Sequence, residues 1–104
     1  MRNCVIHRRF VEAMRNRSNS LKERNLAVQA CFNIEAIIRD DPLVVLLDTG
    51  DPASVVDYFK RGEKVILYGA FRKGCLETAR DALLSKGIIA NYHPTGSIYP
   101  DDVA

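Results

Sequence analysis

Short apolar runs alternate with helical segments through the second half of the chain, and this alternation restricts the fold more than any other feature. The runs "LVVLL" (43–47), "KVILYG" (64–69) and "IIANY" (88–92) contain β-branched residues and are too short to form helices of their own. Segments with helical spacing separate them. The order βαβαβ from residue 43 predicts a mostly parallel sheet, which needs helices on both faces.

The chain before residue 43 is predicted to be helical. A first helix is expected over residues 3–17, because apolar side chains recur there at spacings of three and four residues: Ile6, Phe10, Ala13 and Met14. A second helix should begin at Leu21, since Ser20 and Glu23 form a capping box, and it should end near Arg39 before "DDP". The two helices would cover the sheet and complete a small three-layer α/β domain.

Length and composition indicate one domain. The chain has 104 residues and 47% apolar content. If it were divided into two domains, neither half would have enough apolar residues to form a hydrophobic core. We therefore predict a single α/β domain over residues 1–104, with a helical part (1–40), the βαβαβ unit (43–93) and a tail (94–104). No apolar run approaches the roughly 20 residues of a spanning helix, and the N-terminus is charged where a signal peptide would be apolar. We expect a cytoplasmic protein without membrane contact.

The cysteines predict neither a disulfide framework nor a zinc site. Cys4, Cys31 and Cys75 are an odd number at wide spacing, with no C-x-x-C pair and only His7 and His93 as companions. We expect reduced thiols, no metal and no cofactor.

Positive charge is concentrated at the N-terminal end. Residues 1–25 hold seven basic side chains against two acidic ones, a net charge of +5, whereas the rest of the chain carries −3. Such an end attracts nucleic acid or an acidic partner, although a solvated helix face has the same composition. The basic helices could also mediate protein–protein interaction or formation of a homodimer.

The predicted ligand site lies at the carboxyl ends of the strands, where the loops of an open parallel sheet bind ligands. These loops supply the candidate ligand-binding residues Asp48, Thr49, Gly69, Arg72, Lys73, Gly74 and His93. Gly69 and Gly74 have the spacing of a nucleotide phosphate loop, but Cys75 and Leu76 stand where its lysine and hydroxyl should be. The loop, its two cations and the following helix start therefore predict anion binding without nucleotide hydrolysis.

Cys75 and His93 are the candidate catalytic residues. A thiol in the first turn of a helix beside two cations favours the thiolate, and His93 could act as acid or base. Residues 64–97 resemble the second half of a rhodanese-like domain in layout: strand, anion-holding loop, helix, "KG", strand and glycine. In that family the sulfur-carrying cysteine directly follows the strand, whereas Gly69 ends "KVILYG" and Cys75 comes six positions later.

We favour a non-enzymatic binding module that holds an anionic, phosphate-bearing ligand or macromolecule at the strand-end loops. A protein-interaction or dimerisation module and a rhodanese-like thiol enzyme using Cys75 are the alternatives.

Overall fold

Four parallel strands form one sheet in a computed structural model of the chain, which describes residues 1–98. The sheet has the order β2-β1-β3-β4, with strands β1 (Arg2–Ile6), β2 (Val45–Leu47), β3 (Lys64–Ala70) and β4 (Ile89–Ile98). The helices are α1 (Arg8–Arg17), α2 (Leu21–Asp40), a 3₁₀ helix (Pro52–Tyr58) and α3 (Cys75–Ser85). The predicted α/β class is confirmed. Within residues 1–98, no helix is long and apolar enough to cross a membrane.

The N-terminal residues differ from the prediction. The first helix was expected from residue 3, but β1 occupies residues 2–6 and α1 begins only at Arg8. Cys4, Val5 and Ile6 are fully buried, because β1 lies between β2 and β3 in the middle of the sheet. A central parallel strand is covered on both faces, and its continuous apolar run also satisfies a helical spacing. The parallel sheet therefore does not begin at residue 43 as predicted. The strand β1 and the helices α1 and α2 precede β2 and belong to the same α/β unit.

The strands divide the core into two clusters. Cys4 and Ile6 join one cluster, and Val5 joins the other, as expected where successive side chains of a strand point to opposite faces. The first cluster includes Val55 of the 3₁₀ helix, Phe59 directly after that helix, and three residues of α3: Leu76, Ala79 and Leu83. The second includes residues of α1 and α2: Val11, Met14, Ala27, Ala30, Cys31 and Ile34.

The connections leave the centre of the sheet in opposite directions. The chain passes from β1 through α1 and α2 to β2, on one side of β1, whereas β3 leads through α3 to β4 on the other side. The central neighbours β1 and β3 therefore form a topological switch point, the place where open α/β sheets leave a crevice outside the carboxyl ends of the strands.

Gly69 allows β1 and β3 to pair at this point. It lies opposite Ile6 in the parallel register and has a φ of +123°. A Cβ atom at Gly69 would overlap the carbonyl oxygen of Ile6. Gly69 was predicted to bind a ligand. In the structure it allows two strands to pair, since only glycine can adopt this positive φ and also lie against the Ile6 carbonyl group.

We expect Gly69→Ala to lower the free energy of unfolding by at least about 3 kcal/mol, because the methyl group would push β1 away from β3. Two control variants separate the causes. Gly62→Ala, at φ +89° in open space, should cost about 1–2 kcal/mol. Gly50→Ala, with nothing within 4 Å, should change stability by less than about 0.5 kcal/mol. Urea unfolding measures all three, and equal losses for Gly69→Ala and Gly62→Ala would show that the backbone contact contributes nothing.

Candidate functional site

A cavity of about 320 Å³ opens between the carboxyl ends of β1 and β3. Its walls are formed by His7, Phe10, Ala70, Phe71, Gly74 and Cys75. These residues follow β1 on one side and end or follow β3 on the other, so the cavity occupies the topological switch point. Its volume lies at the lower end of the range for small-molecule sites.

His7 forms one side of the cavity at the end of β1. Its N–H donates to the carbonyl oxygen of Leu47 over 2.9 Å, which continues the contact with β2, and its carbonyl oxygen accepts from Val11 N–H. The residue has the left-handed conformation (φ 59°, ψ 45°) and its side chain forms no cap on α1. The sharp turn between strand and helix thus leaves His7 on the cavity wall.

Two aromatic rings line the apolar cavity. Phe10 of α1 and Phe71, which follows β3, meet edge to face with ring centroids 5.5 Å apart. Phe10 is 48% exposed. A partly exposed aromatic pair that lines a cavity is suited to contact with a flat apolar group.

The start of α3 forms one end of the cavity. Gly74 is the N-cap and has no side chain to cap the helix, while Leu76 N–H donates to Phe71 oxygen over 3.1 Å and closes the turn. Cys75 is the first helical residue and is half-buried. Cys75 therefore lines the cavity at the N-terminal end of α3.

Arg72 is bound to the protein itself. Its Nε donates to Ser97 Oγ over 2.9 Å, and its Nη2 donates to the carbonyl oxygens of His93 (3.2 Å) and Pro94 (3.0 Å). The guanidinium also lies over the ring of Tyr92, 5.5 Å from its centroid. The sequence predicts that the guanidinium of Arg72 binds an anion. In the structure it forms hydrogen bonds with residues of β4. Lys73 lies between Arg72 and the N-cap Gly74.

His93 lies within β4 and does not line the cavity. Between the pairs Leu67↔Tyr92 and Gly69↔Ser97, β4 advances five residues while β3 advances two, so the intervening segment bulges. The His93 Nδ1 accepts from the backbone N–H groups of Thr95 (3.3 Å) and Gly96 (2.8 Å). Its ring stacks on Tyr68 at 4.7 Å. The predicted catalytic pair of Cys75 and His93 is thus divided between the cavity and the bulge of β4.

Asp48 and Thr49 lie beyond the end of β2. Asp48 is 4.0 Å from Nε of Arg9, and Thr49 Oγ1 accepts from Asp51 N–H over 3.0 Å. Asp48 lines a second, more polar cavity of about 370 Å³ with Arg8, Arg9, Glu12 and Leu46. Of the predicted ligand-binding residues, Gly74 is the one that lines the apolar cavity.

Carboxylates offset much of the basic N-terminal end. Four of its arginines lie within 4.0 Å of an acidic side chain, in the pairs Arg2–Glu63, Arg8–Glu12, Arg9–Asp48 and Arg15–Glu35. Such pairs weaken the local attraction for a polyanion. Across residues 1–98, no group of three or more His, Cys, Asp or Glu side chains is arranged to hold a metal ion.

His7 and Phe10 line the cavity but were not predicted as site residues. Residues 3–17 were expected to form one helix, in which His7 had no special place. The run "NCVI" before the histidine fits a buried strand that ends at a polar loop, but so short a run fits a helix as well.

Comparison with known proteins gives no relative: no protein-family model, no curated protein and no solved structure matches the chain significantly. The site therefore has to be interpreted from its own chemistry.

We expect the stability of the protein to fall as the pH drops below about 7, because burial and the nearby Arg72 lower the pKa of His93. A lowered pKa in the folded state means that protonation favours the unfolded chain. The contribution of neutral His93 is therefore complete above the unfolded-state pKa of about 6.5 and is lost as the pH falls through the folded-state pKa. Protonated Nδ1 also cannot accept the two backbone N–H groups.

His93→Asn provides the matched variant, since an asparagine oxygen accepts backbone N–H groups at turns but does not titrate. Urea unfolding between about pH 7 and 5 should show a decline in the wild type that is smaller in the variant. His7 is present in both proteins and cancels from the comparison. Identical declines would remove His93 as the cause.

Proposed function

We propose that this domain binds a small molecule with an apolar body and a negatively charged or carbonyl oxygen, in the cavity between β1 and β3. One observation carries the proposal. The cavity lies at the topological switch point, where the ends of β1 and β3 meet the starts of α1 and α3. This modifies the anion-binding prediction, because the start of α3 takes over the role first given to Arg72.

The apolar part of the ligand would contact the two phenylalanines. Phe10 and Phe71 leave a ring-lined wall next to Ala70, and stacking on such a wall removes apolar surface from water. Specificity would come from the few polar groups, as in small-molecule sites generally.

The oxygen of the ligand would face the first turn of α3. N–H groups at a helix start and the helix dipole together favour an anion or a polarised carbonyl. Arg8 and Arg9 begin α1 nearby in the chain, but each has an acidic neighbour, so the electrostatic attraction would be local and moderate. A compact monoanion therefore fits better than a polyphosphate.

The direct test is a titration of ¹⁵N-labelled protein with benzoate, benzamide and inorganic phosphate, followed by amide chemical shifts. We expect benzoate to cause saturable shifts centred on His7, Phe71 and Cys75, because it has both a ring and a carboxylate. Benzamide should bind at the same place, since it keeps the ring and a carbonyl oxygen. Phosphate alone should bind more weakly.

Phe10→Ser should weaken benzoate binding by about tenfold, which corresponds to about 1.4 kcal/mol of lost contact. Leu84→Ser is the matched control, because Leu84 is 44% exposed on α3 and does not line the cavity. Shifts centred on residues 93–97, or equal effects of the two variants, would contradict the proposed location.

A thiol enzyme is the second candidate function, favoured by the position of Cys75. Cys75 lines the cavity, whereas Cys4 and Cys31 are buried and burial raises the pKa of both thiols, that of Cys4 to about 12. The Cys75 thiolate would attack a carbonyl carbon of the bound molecule and form a thioester. The leaving group would depart with the proton that His7, which lines the same cavity from the β1 side, takes from the thiol. Water would then release the acid and the free thiol.

Alkylation with iodoacetamide tests this candidate. Cys75 should react first, Cys4 and Cys31 should react only on unfolding, and benzoate should slow the reaction at Cys75 by occupying the cavity. Mass spectrometry after digestion identifies the labelled residue, and Cys75→Ser should abolish the early label. If Cys75 reacts no faster than a thiol in a short peptide, the enzyme candidate loses its support, while benzoate binding by Cys75→Ser would leave the binding proposal intact.

A further inference from the structure

A row of exposed apolar side chains follows one face of α2. Leu21 is 65% exposed, Val28 51% and Phe32 74%. Their spacings of seven and four residues align them on one side of the helix, away from the buried Ala27, Ala30 and Ile34. We call Leu21, Val28 and Phe32 the α2 stripe. A phenylalanine with three quarters of its surface in water, in line with two other large apolar residues, indicates an interaction surface.

Two opposite charges flank the α2 stripe. Arg24 lies four residues before Val28, and Glu35 lies seven residues after it, so both share its face of the helix. The N-terminal half of this face is therefore positive and its C-terminal half carries a carboxylate. Glu35 accepts from Arg15 over 3.1 Å, yet its side chain stays 56% exposed. A second guanidinium can still reach it.

We propose that a second copy of this chain packs against the α2 stripe, with the two α2 helices antiparallel about a two-fold axis near residue 30. Val28 and Phe32 lie equally far from this centre, so each Val28 contacts the partner's Phe32. Arg24 lies six residues before the centre and Glu35 five residues after it, which places Arg24 within about 1.5 Å of the partner's Glu35 along the axis. The surface is therefore self-complementary, as an isologous interface requires.

The remaining ends of the α2 helices also match. Leu21 lies nine residues before the centre and Arg39 nine residues after it, so the aliphatic part of the partner's Arg39 covers Leu21. A pair of helices about 30 Å long buries less than the roughly 800 Å² per partner of a standard interface. We therefore expect a concentration-dependent dimer. No residue of the α2 stripe lines the cavity, so this inference is independent of the proposed function.

Sedimentation velocity from micromolar to millimolar protein tests the dimer. The wild type should shift from monomer to dimer over this range, and Phe32→Glu should stay monomeric at every concentration. Leu84→Glu is the matched control, because it puts the same charge on an exposed apolar position of α3 and should leave the dimer unchanged. Circular dichroism checks that each variant keeps its helices.

A charge exchange tests the antiparallel arrangement. Arg24→Glu and Glu35→Arg should each weaken the dimer at least tenfold, because each substitution places two like charges opposite each other across the two-fold axis. The double variant restores opposite charges and should recover most of the loss. A wild type that stays monomeric, or a dimer that survives Phe32→Glu, would overturn the proposal. A double variant weaker than both single variants would overturn the antiparallel pairing.

Discussion

The close pairing of β1 with β3 is the contact on which the rest of this structure depends. Gly69 has no side chain, so the backbone of β3 can lie against the carbonyl group of Ile6 in the centre of the sheet. The pairing puts His7 and Phe71 at adjacent strand ends, from which the chain departs towards α1 and towards α3. The cavity is a consequence of this divergence, because neither helix start can fill the space between the two strands.

Arg72 anchors the loop between β3 and α3 to β4. Its N–H donates to Ile98 oxygen over 2.9 Å and its carbonyl oxygen accepts from Tyr92 over 3.3 Å, so both backbone polar groups are tied to β4. With the guanidinium bonded to Ser97 as well, the segment between β3 and α3 is fixed before any ligand arrives. A site whose walls are held in this way loses little conformational entropy on binding. The cation thus contributes to the cavity by positioning its walls.

The local parts of the fold could be predicted from the sequence. The cap of α2 is one example, since Ser20 Oγ accepts from Glu23 N–H over 3.2 Å at the expected helix start. The reciprocal half of the predicted capping box is replaced, because Ser20 N–H donates to Ser18 Oγ over 3.1 Å. The strand expected over residues 64–69, which extends to Ala70, and the helix from Cys75 were also predictable, because a buried β-branched run and a helical spacing are local signals. Such signals extend over a few residues and need no knowledge of the partner element.

The parts that depend on distant partners could not be predicted. Residues 3–6 form a strand because β2 and β3 lie on either side of it, and those pairings join residues about 40 to 60 positions apart. The acceptors of Arg72 follow it by 21 to 25 positions in a bulge that the pattern of "HPTGS" does not reveal. The expected tail illustrates both limits: residues 94–98 belong to β4, and residues 99–104 lie outside the described part of the chain. His7 lies in the site because β1 pairs with β3.

A crystal structure of the protein grown with benzoate would test the central claim most directly. We expect the ring to lie against Phe10 and Phe71 and the carboxylate to accept hydrogen bonds from backbone N–H groups in the first turn of α3. Benzoate bound instead at the bulge around His93 or near Asp48, with the space between β1 and β3 empty, would contradict the account.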